Sequence, residues 1–103
     1  MKLRTHDELL IERFAADPEE ARIFTEVVLE DFQEDKEVRP LLSALSLVVQ
    51  AQGGADKVAR HTKMSKEQLE KRLSSRAKLD FDELLDILQG LGYRVTLEPL
   101  RAA

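Results

Sequence analysis

The sequence contains no cysteine, which excludes disulfide bonds, thiolate metal sites and thiol catalysis. It also lacks tryptophan, and its aromatic residues are four phenylalanines and one tyrosine. So few aromatic rings argue against binding of single-stranded nucleic acid by stacking. No apolar run is long enough for a signal peptide or a membrane span. We therefore expect one small domain that resides in the cytoplasm.

Side chains that could carry catalysis do not gather in the sequence. The two histidines, His6 and His61, lie in different segments, and His61 stands close to Lys57 and Arg60. That cationic setting suits neither a metal ion nor a general base. Gly53-Gly54 is too short for a phosphate-binding loop. We predict no catalytic residue, no metal site and no cofactor, and therefore a protein that is not an enzyme.

Helical periodicity and capping signals account for most of the chain and predict an all-α fold. The last helix should end at Gly92, with Gly90 loosening its final turn. The other predicted boundaries are a helix from His6 to Ala16, a helix begun by Asp17-Pro18, a helix from Pro40 to the stop at Gly53-Gly54, and a helix capped by Asp80.

The stretch 53–73 has the pattern of two short helices joined by a tight turn. Ser65 stands where an N-cap belongs, and Gln68 three residues later completes a capping box. Leu69 and Leu73 give the second helix a narrow apolar face. A short helix, a turn and a capped second helix are typical of a helix-turn-helix, and an ordinary solvated helical hairpin is the alternative.

Charge divides the chain into two unlike parts. Residues 1–39 carry a net charge of −6 and residues 40–103 one of +2, while the segment 56–78 has eight basic and three acidic residues. The positive segment favours phosphate contacts, and the acidic part could face a basic protein. We divide the chain into an acidic helical region, 1–39, and a helix-turn-helix domain, 40–103. The alternative is that the acidic helices merely confer solubility.

Near the C-terminus the apolar period changes from that of a helix to that of a strand. Tyr93, Val95 and Leu97 alternate with polar residues, and the chain offers no second strand. A lone strand leaves its backbone groups unpaired. We therefore predict that these three residues form a dimerisation strand that pairs with a second copy, the alternative being an extended tail packed on the helices.

The order of four pieces resembles the addiction-module antidote proteins: Asp17-Pro18-Glu19-Glu20-Ala21, a helix running to Gln52-Gly53, then 58–69, then 79–95. These are HigA-like antitoxins of type II toxin–antitoxin systems with a lambda-repressor-type (Xre/Cro) helix-turn-helix. The resemblance runs from Pro18 to Pro99. It implies a lambda-repressor-like bundle with extra N-terminal helices.

The resemblance also implies a function. Such proteins are cytosolic dimers that neutralise a basic RelE/HigB-like toxin and repress their own operon by binding double-stranded DNA. A stand-alone helix-turn-helix transcriptional regulator is one alternative. The other is a helical protein-interaction module that no longer binds DNA.

Six residues are candidates for DNA contacts by analogy with repressor-type motifs. Two copies joined through their C-terminal strands would address half-sites roughly 34 Å apart. Within each copy, Lys66, Glu67 and Lys71 are expected to reach base edges, and Ser65, Ser74 and Arg76 to hold phosphates.

Two features of the chain modify this expectation. Lys63 stands where the family usually has a glycine in the turn, which predicts either a costly left-handed lysine or a turn of another type. Glu67 and Glu70 lie where phosphates would approach, so we expect weak to moderate DNA affinity that relies on a dimer.

Overall fold

A computed structural model describes residues 4–75 and 78–100. These residues form α-helices and no strand, which confirms the predicted all-α class. None of the described helices has both the length and the apolar character needed to cross a membrane. The helices are α1 (His6–Ala16), α2 (Pro18–Asp35), α3 (Val38–Ala51), α4 (Ala55–Ala59), α5 (Lys66–Leu73) and α6 (Phe81–Gly90).

The first two helices begin where their capping residues predict. The Thr5 hydroxyl accepts a hydrogen bond from the N–H of Glu8 at 3.1 Å, ahead of α1. A single residue, Asp17, connects α1 to α2, and its carboxylate accepts from the N–H groups of Glu19 at 3.1 Å and Glu20 at 3.3 Å. Each bond satisfies an amide that has no partner within its helix.

The predicted start of α3 at Pro40 is two residues late. The helix begins at Val38, and Pro40 occupies its third position. Proline costs nothing there, because the N–H groups of the first turn have no partner within the helix. Just before it, Lys36 ends α2 with its N–H 2.8 Å from the Phe32 carbonyl oxygen. Lys36 has φ 59° and is the one left-handed residue other than glycine in the described part of the chain.

The fold is built around α3, which contacts α1, α2, α4 and α5. Its inward residues Leu41, Leu45 and Val48 are at most 1% exposed. They belong to one buried cluster to which all six helices contribute. Residues on both sides of the predicted division at 39/40 therefore share a core, and that division stays a prediction about separate functions.

The last helix comes closest to α4 and the following turn at Gly90. A Cβ atom placed on this buried glycine would overlap the Cγ2 atom of Thr62 and lie 3.1 Å from Cγ1 of Val58. The sequence suggests only that Gly90 weakens its helix. The structure adds the reason for a glycine there, because it lets the backbone of α6 approach the turn.

The chain leaves α6 through a Schellman motif, which confirms the predicted stop at Gly92. Gly92 has φ 95°, and its N–H bonds to the Gln89 carbonyl at 3.0 Å. The N–H of Tyr93 bonds to the Leu88 carbonyl at 2.8 Å. The turn directs the following residues back towards α2.

The predicted strand at Tyr93, Val95 and Leu97 is not supported, since residues 93–100 form no regular secondary structure. The chain has no other strand among its described residues, so nothing within it can form a ladder with this tail. Tyr93 packs instead against the core beside α2. Burial raises the pKa of Tyr93, opposed by a hydrogen bond with Thr25. The alternative, an extended tail packed on the helices, holds for Tyr93, whereas Leu97 is left exposed.

Replacing Gly90 by Ala should lower the free energy of unfolding by about 1–3 kcal/mol, because overpacking against Thr62 and Val58 outweighs the gain of roughly 1 kcal/mol in helix propensity. Urea denaturation of Gly90→Ala beside Gln89→Ala, an exposed neighbour, measures this. Adding Thr62→Ser, which removes the opposing Cγ2, should recover part of the loss. A Gly90→Ala protein as stable as the wild type would contradict the assigned contact.

Candidate nucleic-acid interface

The start and the inner face of α5 are fixed by local bonds and by burial. The Ser65 hydroxyl accepts from the N–H of Gln68 at 3.1 Å, and the Gln68 side-chain oxygen accepts from the N–H of Ser65 at 2.9 Å. This reciprocal pair confirms the predicted capping box. On the inner side Leu69 is fully buried. The helix therefore has one defined orientation on the body of the protein.

The turn between α4 and α5 is held by the side chain of Thr62. Its hydroxyl lies 3.0 Å from the Ala59 carbonyl and 3.1 Å from the Met64 carbonyl, and it accepts from the N–H of Met64 at 3.0 Å. Lys63 does not have positive φ. A lysine at this position is therefore accommodated without the left-handed backbone that would strain it.

The outer side of α5 lies between two grooves that divide its polar residues. Lys66, Glu70 and Ser74 line a groove shared with the α3–α4 connection. Gln68 and Lys71 line another shared with α6. Helical spacing places Glu67, which is exposed, between the two sets. The predicted base-reading residues therefore lie around one exposed face, with the two lysines on opposite sides of it.

Residues 11–99 match the model of a family described as probable addiction module antidote protein. This range includes nearly all of the core and the whole α4–turn–α5 unit. The chain belongs to this antidote family. No curated protein and no solved structure matches it significantly.

Arg72 of this antidote protein has a role that its charge alone does not reveal. Its side chain is only 12% exposed, and its Nε atom lies 3.0 Å from a carboxylate oxygen of Glu83 on α6, although without hydrogen-bond geometry. The guanidinium also donates to the Lys78 carbonyl. Glu83 in turn accepts from the N–H of Asp80 at 3.2 Å. Arg72 therefore ties α5 to the start of α6, and one of the eight cations in 56–78 is removed from the surface.

The three predicted phosphate-binding residues differ in whether their side chains have a hydrogen-bond donor to offer to a phosphate. The Ser65 hydroxyl accepts the capping bond, so its own hydrogen is left to donate. The Ser74 hydroxyl lies 3.0 Å from the Glu70 carbonyl and 3.2 Å from the Lys71 carbonyl, so a phosphate would have to replace a bond that it already makes. Arg76 lies outside the described residues.

The tail of the antidote protein exposes its apolar residues progressively. Tyr93 is partly buried, Val95 is 46% exposed and Leu97 is 99% exposed. Within the described residues, the main chain beyond Tyr93 takes part in no backbone hydrogen bond. The three predicted dimerisation residues therefore differ in burial within the single chain, since Tyr93 packs against the core and Leu97 is exposed.

The two histidines belong to different parts of the fold. His6 is the first residue of α1, and His61 lies in the turn after α4. Across residues 4–75 and 78–100, no group of three or more His, Asp or Glu side chains is placed to hold a metal ion.

Replacing Thr62 by Val should lower the free energy of unfolding by about 1–3 kcal/mol, because the Met64 N–H loses its hydroxyl acceptor and the one bond that the hydroxyl donates is lost while the branched shape is kept. Urea denaturation gives the loss, and amide hydrogen exchange at Met64 should accelerate. Thr96→Val, in the exposed tail, is the matched control. Equal stability of the two variants would show that the hydroxyl does not hold the turn.

Proposed function

We propose that this protein is the antitoxin of a type II toxin–antitoxin module. It neutralises a basic RelE/HigB-like toxin and represses its own operon in the cytoplasm, as a homodimer bound to double-stranded DNA. Membership of the antidote family supports the antitoxin role and a toxin partner in general. The DNA-binding role depends chiefly on the exposed face of α5, next to its capped N-terminus.

The construction of the α4–turn–α5 unit is suited to insertion into a major groove. The groove admits one α-helix, whose first residues then contact base edges. Here the first turn of α5 is exposed, and Leu69 together with the Ser65–Gln68 cap holds the helix in place. A rigid support is what base recognition needs, because hydrogen bonds to base edges are directional.

Each exposed residue of α5 has a base or phosphate to which its chemistry is suited. Lys66 and Lys71 donate and suit guanine, and Glu67 accepts and suits cytosine N4. Ser65 keeps a hydrogen to donate to a phosphate at the N-terminus of the helix. Contacts of Ser74 and Arg76 with phosphates complete the proposed footprint.

A dimer compensates for the acidic residues on the same face. Glu67 and Glu70 are both exposed and repel phosphates, so one copy alone should bind weakly. Two copies joined through their C-terminal tails would add a second half-site roughly 34 Å from the first. The bare Leu97 side chain and the unpaired main chain of the tail favour that region as the contact.

The second candidate function is a protein-interaction module that no longer binds DNA. The presence of Glu67 and Glu70 beside Lys66 and Lys71 on the exposed face of α5 favours it, because two negative and two positive charges leave that face with no net attraction for a polyanion. The two functions differ in whether the protein prefers its own upstream DNA.

Fluorescence anisotropy with a labelled duplex from the upstream region of the operon should detect binding that weakens steeply as salt rises. Replacing Lys71 by Ala should cost about 1–3 kcal/mol of binding free energy and relax one base position. Arg39→Ala removes an exposed cation at the start of α3 and should bind as the wild type does.

Three outcomes separate the possibilities. Tighter binding to the upstream duplex than to a scrambled one supports an autoregulating repressor. No preference at either of two salt concentrations favours the protein-only module. Unchanged binding by Lys71→Ala, with the wild type selective, shows that Lys71 does not read the sequence.

A further inference from the structure

One face of α2 is left exposed by the part of the chain that the structure describes. Ile23 and Val27 are both 49% exposed, although the core takes other residues of the same helix. Glu30, Asp31 and Glu34 continue the same face over the next two turns and are exposed. We refer to these five residues as the α2 stripe.

The three acids of the stripe differ from Glu19, Glu20 and Glu26 of the same helix in forming no ion pair within the described part of the chain. Earlier in the helix, Glu19 and Glu26 pair with Arg22, and Glu20 pairs with Arg13. Glu30, Asp31 and Glu34 form no ion pair with any described residue. They also lie in the C-terminal half of the helix, where negative charge opposes the helix dipole. The fold therefore carries uncompensated charge next to exposed apolar surface.

The C-terminal tail leaves the stripe accessible. The tail lies along the side of α2 that carries Arg22, Leu29 and Gln33. Of the five stripe residues, only Glu30 borders that groove. The surface is thus available to another molecule without displacement of any described segment.

We infer that the α2 stripe is the docking surface for the basic toxin, an inference that rests on the proposed antitoxin function. The occupant should present an apolar centre to Ile23 and Val27, with lysine or arginine residues facing Glu30, Asp31 and Glu34. Such a partner removes the uncompensated negative charge and buries the exposed apolar area together.

Charge complementarity decides among the occupants. DNA carries the same sign of charge as the stripe and is repelled by it. In a two-fold contact between copies, the stripe would face a second stripe, which has no lysine or arginine to offer to its acids. A basic protein is the class whose surface complements both the charge and the apolar residues. Dimerisation and DNA binding consequently use other surfaces.

The test measures the affinity of the full chain for a purified small basic toxin of the RelE/HigB type, by calorimetry at two salt concentrations. The stripe variant is Glu30→Gln/Asp31→Asn/Glu34→Gln, and the control Asp7→Asn/Asp56→Asn/Asp82→Asn changes the net charge by the same amount at exposed positions elsewhere. We expect at least a tenfold loss of affinity and a weaker salt dependence for the stripe variant, and a change of less than twofold for the control. Ile23→Ser/Val27→Ser should also lose at least tenfold but keep the salt dependence of the wild type.

A melting curve and binding to the upstream DNA duplex show that each variant is folded. Equal losses in the stripe variant and the control would mean that only net charge matters, which overturns the assignment of the surface. Wild-type affinity in both stripe variants overturns it too, while leaving the antitoxin function standing. Failure of the wild type itself to bind the basic protein removes the proposed toxin partner, and the docking surface with it.

Discussion

The contact of α6 with the turn between α4 and α5 depends on the absence of one methyl group. Gly90 brings the α6 backbone against Thr62 and Val58, where a Cβ atom would overlap a neighbour. Thr62 takes part twice, because its Cγ2 faces the glycine and its hydroxyl binds the turn. The position of α5 follows, since the turn determines where its capped end begins. A change at this contact would move the proposed DNA-reading face without touching any residue on it.

The charge that this protein presents to a partner depends on which charged side chains form ion pairs, and not only on where they cluster in the sequence. Arg72 belongs to the positive segment by sequence, yet it lies against Glu83 and joins two helices. Arg22 of α2 and Arg13 of α1 pair with the acids in the first half of α2, while the acids in its second half form no ion pair with any described residue. The surface that DNA or a toxin would meet is therefore different from the one that counting residues suggests. Arg72 is largely covered by this contact, so the cations that α5 presents to solvent are its exposed lysines, Lys66 and Lys71.

The two proposed activities use separate parts of one small core. The outer face of α5 and the stripe on α2 belong to different helices, although α3 packs against both of these helices. Binding at one surface thus need not block the other. An antitoxin with this construction could hold a toxin and an operator at once, with the C-terminal tail left to join two copies.

The local features of this protein follow from the sequence by itself. Helix caps and stops depend on groups a few residues apart, so their bonds need no contact with distant parts of the chain. This applies to the caps at Asp17 and Ser65, to the stop at Gly92 and to the helical class. The family match confirms the antidote resemblance, which depends only on the order of motifs along the sequence. The start of α3 was placed two residues late because a proline fits any position of the first turn. The strand was wrongly predicted because alternation describes a side-chain pattern, whereas a strand also needs a partner for its backbone.

Only the tertiary structure decided that Gly90 serves packing, that Arg72 is an internal ion-pair partner and that the acids of α2 differ from one another. Each of these depends on which distant residues the folded chain brings together, and that is set by the packing of helices rather than by the neighbours in sequence.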